Sequence, residues 1–414
     1  MTSRKTIRLG LFATAVLLLA AAAAPAGDPV IIDHNCTDLP LVPSAWIDQA
    51  KADLHIAYGH TSHGSQVTDG MTGLVTFTGG CGGPQFAWNN GGTGGALDLH
   101  DHAMPGDCGY YPQWVDSTRA YLDDPANADV NVIIWSWCGQ HSGYTEQEMI
   151  DKYLAPMEQL EQDYPHVKFV YMTGHVNYWL KQNTDARNQQ IRDWCIEKGK
   201  ILYDFADIES WNPDNVHFPY VNDDCSYWDA AGNYLGNWAE EWQNTHVKDV
   251  EWYDCTCAHS KPLNGNQKAY AAWWLWARLA GWSGPGNLYV DGDDFLSAAA
   301  GGRINLCLEA GAANQGRNYL VLGSASGTSP GTQLPGGAVL PLNWDAFTNL
   351  VLALSGTAVL PGFSGTLDGA GRANAQVVSG PLPPSSAGVT LYFAYCLNAP
   401  FDFASDPVAV QVTP

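Results

Sequence analysis

The chain reads as two domains: a three-layer α/β/α domain built on a parallel sheet, followed by an all-β sandwich. Three observations predict this. Short apolar runs alternate with helical patterns as far as residue 282, and beyond that the composition shifts to Gly, Ser, Ala, Pro, Val and Leu with frequent turns. All 12 histidines and all but one of the 17 tryptophans fall before residue 283.

In the first region, `ADLHIAYG`, `VNVIIWSW`, `VKFVYMTG` and `KILYDFADI` are short apolar runs of the kind expected for strands buried on both faces. Between them, `TEQEMIDKYLAPMEQLEQDYP` and `TDARNQQIRDWCIEKGK` carry helical spacing, with Thr145 and Thr184 placed to act as N-caps. Strand and helix in alternation imply parallel strands, whose carboxyl ends gather functional loops. Gly284-Pro285-Gly286 then breaks a helical pattern, which sets the domains at 27–282 and 283–414. The second holds `YLVLG`, `AVLPLNW`, `LVLAL`, `AQVVSG`, `VTLYFAYCL` and `VAVQV`, read as strands of an antiparallel sandwich. It lacks histidine, so no catalysis is assigned to it. Its `VDGDDF`, residues 290–295, lacks a full calcium ligand set and reads as a linker turn.

Residues 1–26, `MTSRKTIRLG LFATAVLLLA AAAAPA`, have the basic start, apolar run and small-residue end of a secretory signal peptide cleaved near Ala26. A secreted or periplasmic protein is expected. Export permits disulfides among the ten cysteines, and the even counts on either side of residue 283 suit pairing within each region, Cys307 with Cys396 in the second. The formal charge of −23 argues against nucleic acid or an anionic membrane as a partner.

The chemistry centres on `LHIAYGHTSHGSQVTDG`, where an apolar run stops at glycine and Ser62 follows within three residues, flanked by His60 and His63. Serine attacks an ester only when a base takes its proton. The candidate base is His259 in `DCTCAHSKPLNGNQKAY`, just before the last helix of the domain. A serine after an early strand and a histidine before the closing helix can meet on one edge of a sheet. Ser65 is the reserve nucleophile.

This arrangement resembles the SGNH, or GDSL-like, hydrolases over roughly residues 50–282. Gly59-His60-Thr61-Ser62 with Gly64 stands for the family's first block, and Ala258-His259 with Gly265 for its last. The resemblance implies a flavodoxin-like α/β/α fold, esterase chemistry by Ser62 and His259, and no cofactor. The family's acid, three residues before the histidine, is Thr256 here; either Asp254 fills the role or the site is a dyad. The third block is replaced by `WSWCGQHSG`, where Gly139 and Gln140 are oxyanion donors, with Asn177 of `TGHVN` as the competing amide. No counterpart of the second-block glycine is assigned in `NNGGTGG`.

His60 and His63 are also candidate substrate contacts. So are Trp228 and Trp252, from an insertion that also holds Trp238 and Trp242, because indole faces pack on sugar rings and an acylated carbohydrate fits the site. Two other functions are open. His60 with His63, or His100-Asp101-His102 with Asp98, offers ligands for a metal-dependent hydrolase. The chain can also be a non-catalytic carbohydrate-binding or adhesion protein.

Overall fold

The computed structural model describes residues 29–414 apart from 81, 283, 285, 292, 293, 312, 313 and 370. The expected signal peptide, Cys81 and the middle of `VDGDDF` therefore lie outside the described residues. Among those described, no helix is long and apolar enough to cross a membrane.

Seven strands form the first sheet: β1 (Val30–Ile32), β2 (His55–Gly59), β3 (Trp88–Asn89), β4 (Leu97–His100), β5 (Val132–Trp135), β6 (Lys168–Met172) and β7 (Ile201–Tyr203). Their order is β1-β7-β6-β5-β2-β4-β3, and every neighbouring pair is parallel. Side chains alternate between faces, so the apolar runs feed two cores. Ile56, Tyr58, Ile134 and Met172 meet one core, while Ala57, Ile133, Trp135 and Tyr171 meet the other.

Helices α1 (Ser44–Asp53) and α2 (Ser65–Thr76) cover the first face; α3 (Gln113–Leu122), α4 (Glu146–Met149), α5 (Ala155–Asp163) and α6 (Lys181–Glu197) cover the second. Short α7 (Phe205–Ile208) follows β7. A hairpin of β8 (Ser226–Trp228) and β9 (Tyr234–Asn237) and helices α8 (Trp238–Thr245) and α9 (Pro262–Leu279) complete this region. Helix α9 is the buried centre of the first face, with Trp273 and Trp276 fully enclosed. Thr145 does cap α4, in a reciprocal capping box with Glu148. Thr184 does not cap α6. That helix begins earlier, at Lys181, and Asn177 Oδ1 accepts the Trp179 and Leu180 N–H groups at 3.0 Å each, leaving Thr184 buried inside.

The second region is a pair of sheets around one apolar core that includes Leu306, Val321, Phe393 and Val410. Strands β10 (Leu288–Asp291), β12 (Gly302–Glu309) and β17 (Arg372–Ser379) form one sheet; β11 (Phe295–Ser297), β13 (Asn318–Ser324), β16 (Ser364–Thr366), β18 (Thr390–Leu397) and β19 (Val408–Thr413) form the other. A hairpin of β14 (Thr332–Gln333) and β15 (Val339–Leu340) packs Leu340 with Leu322 and Ala394, on the face of β13 and β18 that points away from that core. Three expectations need correction. The second sheet is mixed, because β11 pairs parallel to β19. The run `LVLAL` is the end of helix α10 (Ala346–Leu354), which Asp345 and Thr348 nucleate with a capping box.

The third concerns cysteine. Cys396 is a free thiol, as are Cys36, Cys108, Cys138, Cys195, Cys225, Cys255 and Cys257. Ile304, Leu306 and Leu308 of β12 and Phe393, Tyr395 and Leu397 of β18 fill the shared core. With a period of two, Cys307 and Cys396 then point away from that core on opposite outer faces, so no Cys307–Cys396 bond can form.

Candidate active site

Two glycines shape the turn that carries Ser62. A Cβ on Gly59 would fall 2.4 Å from the Trp135 ring, and one on Gly64 would fall 2.3 Å from Ser136 Oγ. The turn after β2 thus packs directly on the end of β5, and Tyr58 closes it by donating to Gly64 O at 3.0 Å. Here β2 leads the chain towards β4 on one side while β5 and β6 lie on the other. The crevice between β2 and β5 is where such sheets bind ligands.

Across this crevice Ser62 Oγ and His259 Nε2 lie 2.9 Å apart, joining residues 197 positions distant in sequence. His259 has φ of +65°, a left-handed conformation rare outside glycine and of the kind that surrounding structure must enforce. The enforcement is visible. Gln66, buried in the first turns of α2, donates to the Ala258 carbonyl at 2.5 Å, and its own carbonyl oxygen receives the buried Lys268 ammonium of α9. Lys268 also pairs with the buried Glu209 at 2.7 Å, and Glu209 accepts the Val176 N–H at 2.5 Å. One cation therefore holds the backbone beside His259 and beside His175. The sequence offered no local signal for Gln66, Glu209 or Lys268, since their grouping depends on how α2, α7 and α9 pack.

His63 is buried in the middle of a stack of three imidazoles. Its ring lies 4.0 Å from that of His175 at 5° and 4.4 Å from that of His259 at 17°. His63 Nε2 donates to Asp223 Oδ2 at 3.1 Å, and Nδ1 faces Cys138 Sγ at 3.5 Å. Burial pushes its pKa from 6.5 down to about 4, despite the Asp223 hydrogen bond and with His175 and His259 adding to the fall. A neutral ring suits this pattern of one donor and one acceptor nitrogen. Burial raises the Asp223 carboxyl, but the bond from His63 and the nearby His175 and His259 hold it below its ordinary value. His175 and Asp223 escaped the sequence reading. The first lay inside `TGHVN`, which pointed to Asn177, and `VNDDC` carries no motif.

The buried neutral His63 has a consequence for stability. Between pH 6.5 and about 4 the unfolded chain binds a proton that the folded ring refuses, so stability is present above this window and is lost as pH falls through it. The loss from His63 alone is on the order of 3 kcal/mol. His141, buried and brought down to about 3 by desolvation, adds in the same direction. The melting temperature should drop from pH 7 to pH 5, and less steeply in His63→Gln. An equal slope in both proteins would contradict the assignment.

No protein-family model matches the chain. No curated protein matches it. Among solved structures, the crystal structure of FMN-binding beta-glucuronidase from Facaelibacterium prausnitzii L2-6 is similar at 8% identity and a TM-score of 0.19, over 95% of this chain and 57% of that one. The chain thus spans less than two thirds of that protein. A likeness so slight assigns neither fold nor chemistry, and the side chains carry the argument alone.

Several expected site residues sit elsewhere. Asp254 is 65% exposed in its side chain and pairs with Lys248 at 2.9 Å, so its carboxylate is committed away from His259. Asp254→Asn should therefore leave kcat within about threefold of the parent; a severe fall would restore Asp254 to the site. Ser65 donates to Ser62 O at 2.8 Å and opens α2, a structural use of its hydroxyl. His60 is buried between Thr61 O and Asp101 Oδ1, at 2.9 and 2.7 Å, and fastens the turn to the loop after β4 instead of facing substrate. The Gln140 side chain packs on Gly109, where a Cβ would fall 2.3 Å from its Cδ. Asn177 serves the start of α6. Gly139 does lie close to His175: a Cβ there would stand 3.6 Å from its Nε2. Among the described residues, neither the Ser62 nor the Gly139 N–H donates a hydrogen bond within the chain.

The tryptophans divide likewise. Trp238 and Trp242 are buried core, and Trp252 donates to His246 O at 3.3 Å beneath Lys248. Trp228 stays at the surface beside the site. A cleft of 770 Å³, lined among others by His34, Trp242, Tyr289 and Arg372, includes none of Ser62, His63, His175 or His259.

Among the described residues, four clusters bring three ligand atoms within 4.8 Å of one another: His63, His175 and Asp223; His60, Asp101 and His102; Asp33, His34 and Asp207; and His55, Asp98 and Asp129. Of the expected group His100-Asp101-His102 with Asp98, only Asp101 and His102 converge, together with His60, because His100 bonds Tyr121 at 2.7 Å and Asp98 bonds His55 at 2.8 Å. In the first cluster the two imidazoles are stacked face to face, 5° from parallel. A cation between them would lie off both ring planes, away from the in-plane lone pairs that bind metals. Both rings would have to turn.

Proposed function

We propose that the protein is a secreted serine esterase acting on carboxylic esters, and that its N-terminal domain is a divergent SGNH-like hydrolase. The observation that carries this is the 2.9 Å approach of Ser62 Oγ to His259 Nε2 at the carboxyl end of a parallel sheet. Counted from β2, the central strands run in the order 2-1-3-4-5, the flavodoxin-like arrangement, which supports the family reading.

In the first step His259 Nε2 takes the Ser62 proton as Oγ bonds to the ester carbonyl carbon. In this reading the N–H groups of Ser62 and Gly139, which donate to no partner among the described residues, receive the resulting oxyanion. Collapse of this intermediate breaks the bond to the alcohol, which leaves with the proton from His259. Water then repeats the sequence on the acyl-serine, releasing the acid and restoring both residues. Asp223, ionised one ring away behind His63, stabilises the imidazolium on His259 through space in place of a directly bonded acid.

The test is hydrolysis of p-nitrophenyl acetate by the full chain with and without a metal chelator. Turnover that survives the chelator supports the serine mechanism. Loss on chelation and return with zinc would move the function to a metal hydrolase, and no turnover on any ester would leave a binding protein.

A further inference from the structure

Beside the crevice stands a cluster of aromatic rings that neither the fold nor the Ser62 chemistry requires. Tyr178 and Trp179 come from the loop after β6, and Trp228 and Tyr234 face each other across a hairpin of Ser226–Trp228 and Tyr234–Asn237. Tyr178 stacks on Trp228 at 3.9 Å and 12°; Trp179 and Tyr234 stand edge-on to Trp228 at 5.6 and 5.7 Å. Trp179 is 72% exposed and Tyr234 60%. A cluster of large apolar rings left this open marks an interaction site more often than a solvated surface.

The cluster is wired to the chemistry. The Tyr178 N–H donates to Asn222 Oδ1 at 3.1 Å, the Asn222 amide donates to Asp223 Oδ1 at 2.6 Å, and Asp223 holds His63. Tyr178 also lies three residues after His175, the third ring of the imidazole stack. The aromatic face is thus joined to the imidazole stack through two side chains, Asn222 and Asp223.

We propose that Tyr178, Trp179, Trp228 and Tyr234 form a platform for a neutral sugar ring of the substrate, making the ester an acylated saccharide. This rests on the Ser62 esterase reading and gives it a substrate class. A pyranose presents one face of C–H groups that packs flat on an aromatic ring, and its hydroxyls remain free for water at the rim. The charge of −23 disfavours nucleic acid and other anionic polymers but leaves a neutral saccharide unopposed.

The experiment uses the full chain carrying Ser62→Ala, so that bound ester is not consumed. Acetylated xylo-oligosaccharide, acetylated chito-oligosaccharide and acetylated cello-oligosaccharide are titrated by calorimetry and tryptophan fluorescence, into this protein and into one also carrying Trp179→Ala. The proposal expects saturable binding of at least one of the three, weakened tenfold or more by Trp179→Ala, with Trp179→Phe restoring most of it. Absence of binding to all three, binding indifferent to Trp179, or a concentration-dependent dimer that Trp179→Ala dissolves would each overturn it. Failure of the esterase reading is separate: it shows as p-nitrophenyl acetate hydrolysis that Ser62→Ala does not change, whatever the saccharides do.

Discussion

Ser62→Ala is expected to abolish ester hydrolysis, with kcat/KM falling roughly 10⁴-fold or more, while the protein stays folded. The asymmetry follows from position. The hydroxyl is half-buried at the mouth of the crevice, and its contact is to the exposed His259, so its loss removes about 1 kcal/mol of stability at most. Catalysis loses its nucleophile outright. His259→Ala should match it, and the double variant should be no worse than either, because the two act as a unit. Measured turnover of p-nitrophenyl acetate, with circular dichroism confirming the fold, checks both halves. Activity in Ser62→Ala within a few-fold of the parent would end the assignment.

The second large effect lies away from the reacting atoms. Lys268→Met should destabilise the protein by about 3–5 kcal/mol, because it leaves Glu209 buried without its cation. Burial already raises the Glu209 pKa against the pull of Lys268, His175 and the Val176 N–H, and Lys268 is the largest of these opposing influences. The same change releases Gln66, hence the Ala258 carbonyl and the strained φ of His259. Urea denaturation should show the lost stability, and kcat should fall in protein that remains folded. Pairing Lys268→Met with Glu209→Gln should recover much of the stability but little of the kcat, since the link through Gln66 stays broken. Full recovery of both would show that Lys268 serves packing alone.

Much of the fold was legible because the decisive signals are local. Four of the seven parallel strands announce themselves as short apolar runs, a pattern that burial on both faces requires. β1, β3 and β4 are too short or too polar to stand out, and `LVLAL` was misread because an apolar run of five does not distinguish strand from helix without its cap at Asp345. The Ser62–His259 pair could be anticipated from the order of strand, turn and closing helix. Its support could not. Asp254 was favoured because it is near His259 in sequence, yet a lysine six positions earlier in the chain claims it. The acid that does enter the stack, Asp223, is 160 residues from His63 and is brought there by the insertion between β7 and α8. Gly139 does lie close to His175, whereas Gln140 and Asn177 were chosen for having amides, and packing uses those side chains elsewhere.

The central claim is that Ser62 is a nucleophile activated by His259, and a serine-directed fluorophosphonate tests it most directly. Intact-mass and peptide measurements should find one adduct per chain, on Ser62, formed at a rate that His259→Ala lowers by orders of magnitude and that Asp254→Asn leaves nearly unchanged. An unmodified protein, or an adduct on another serine, would contradict the account.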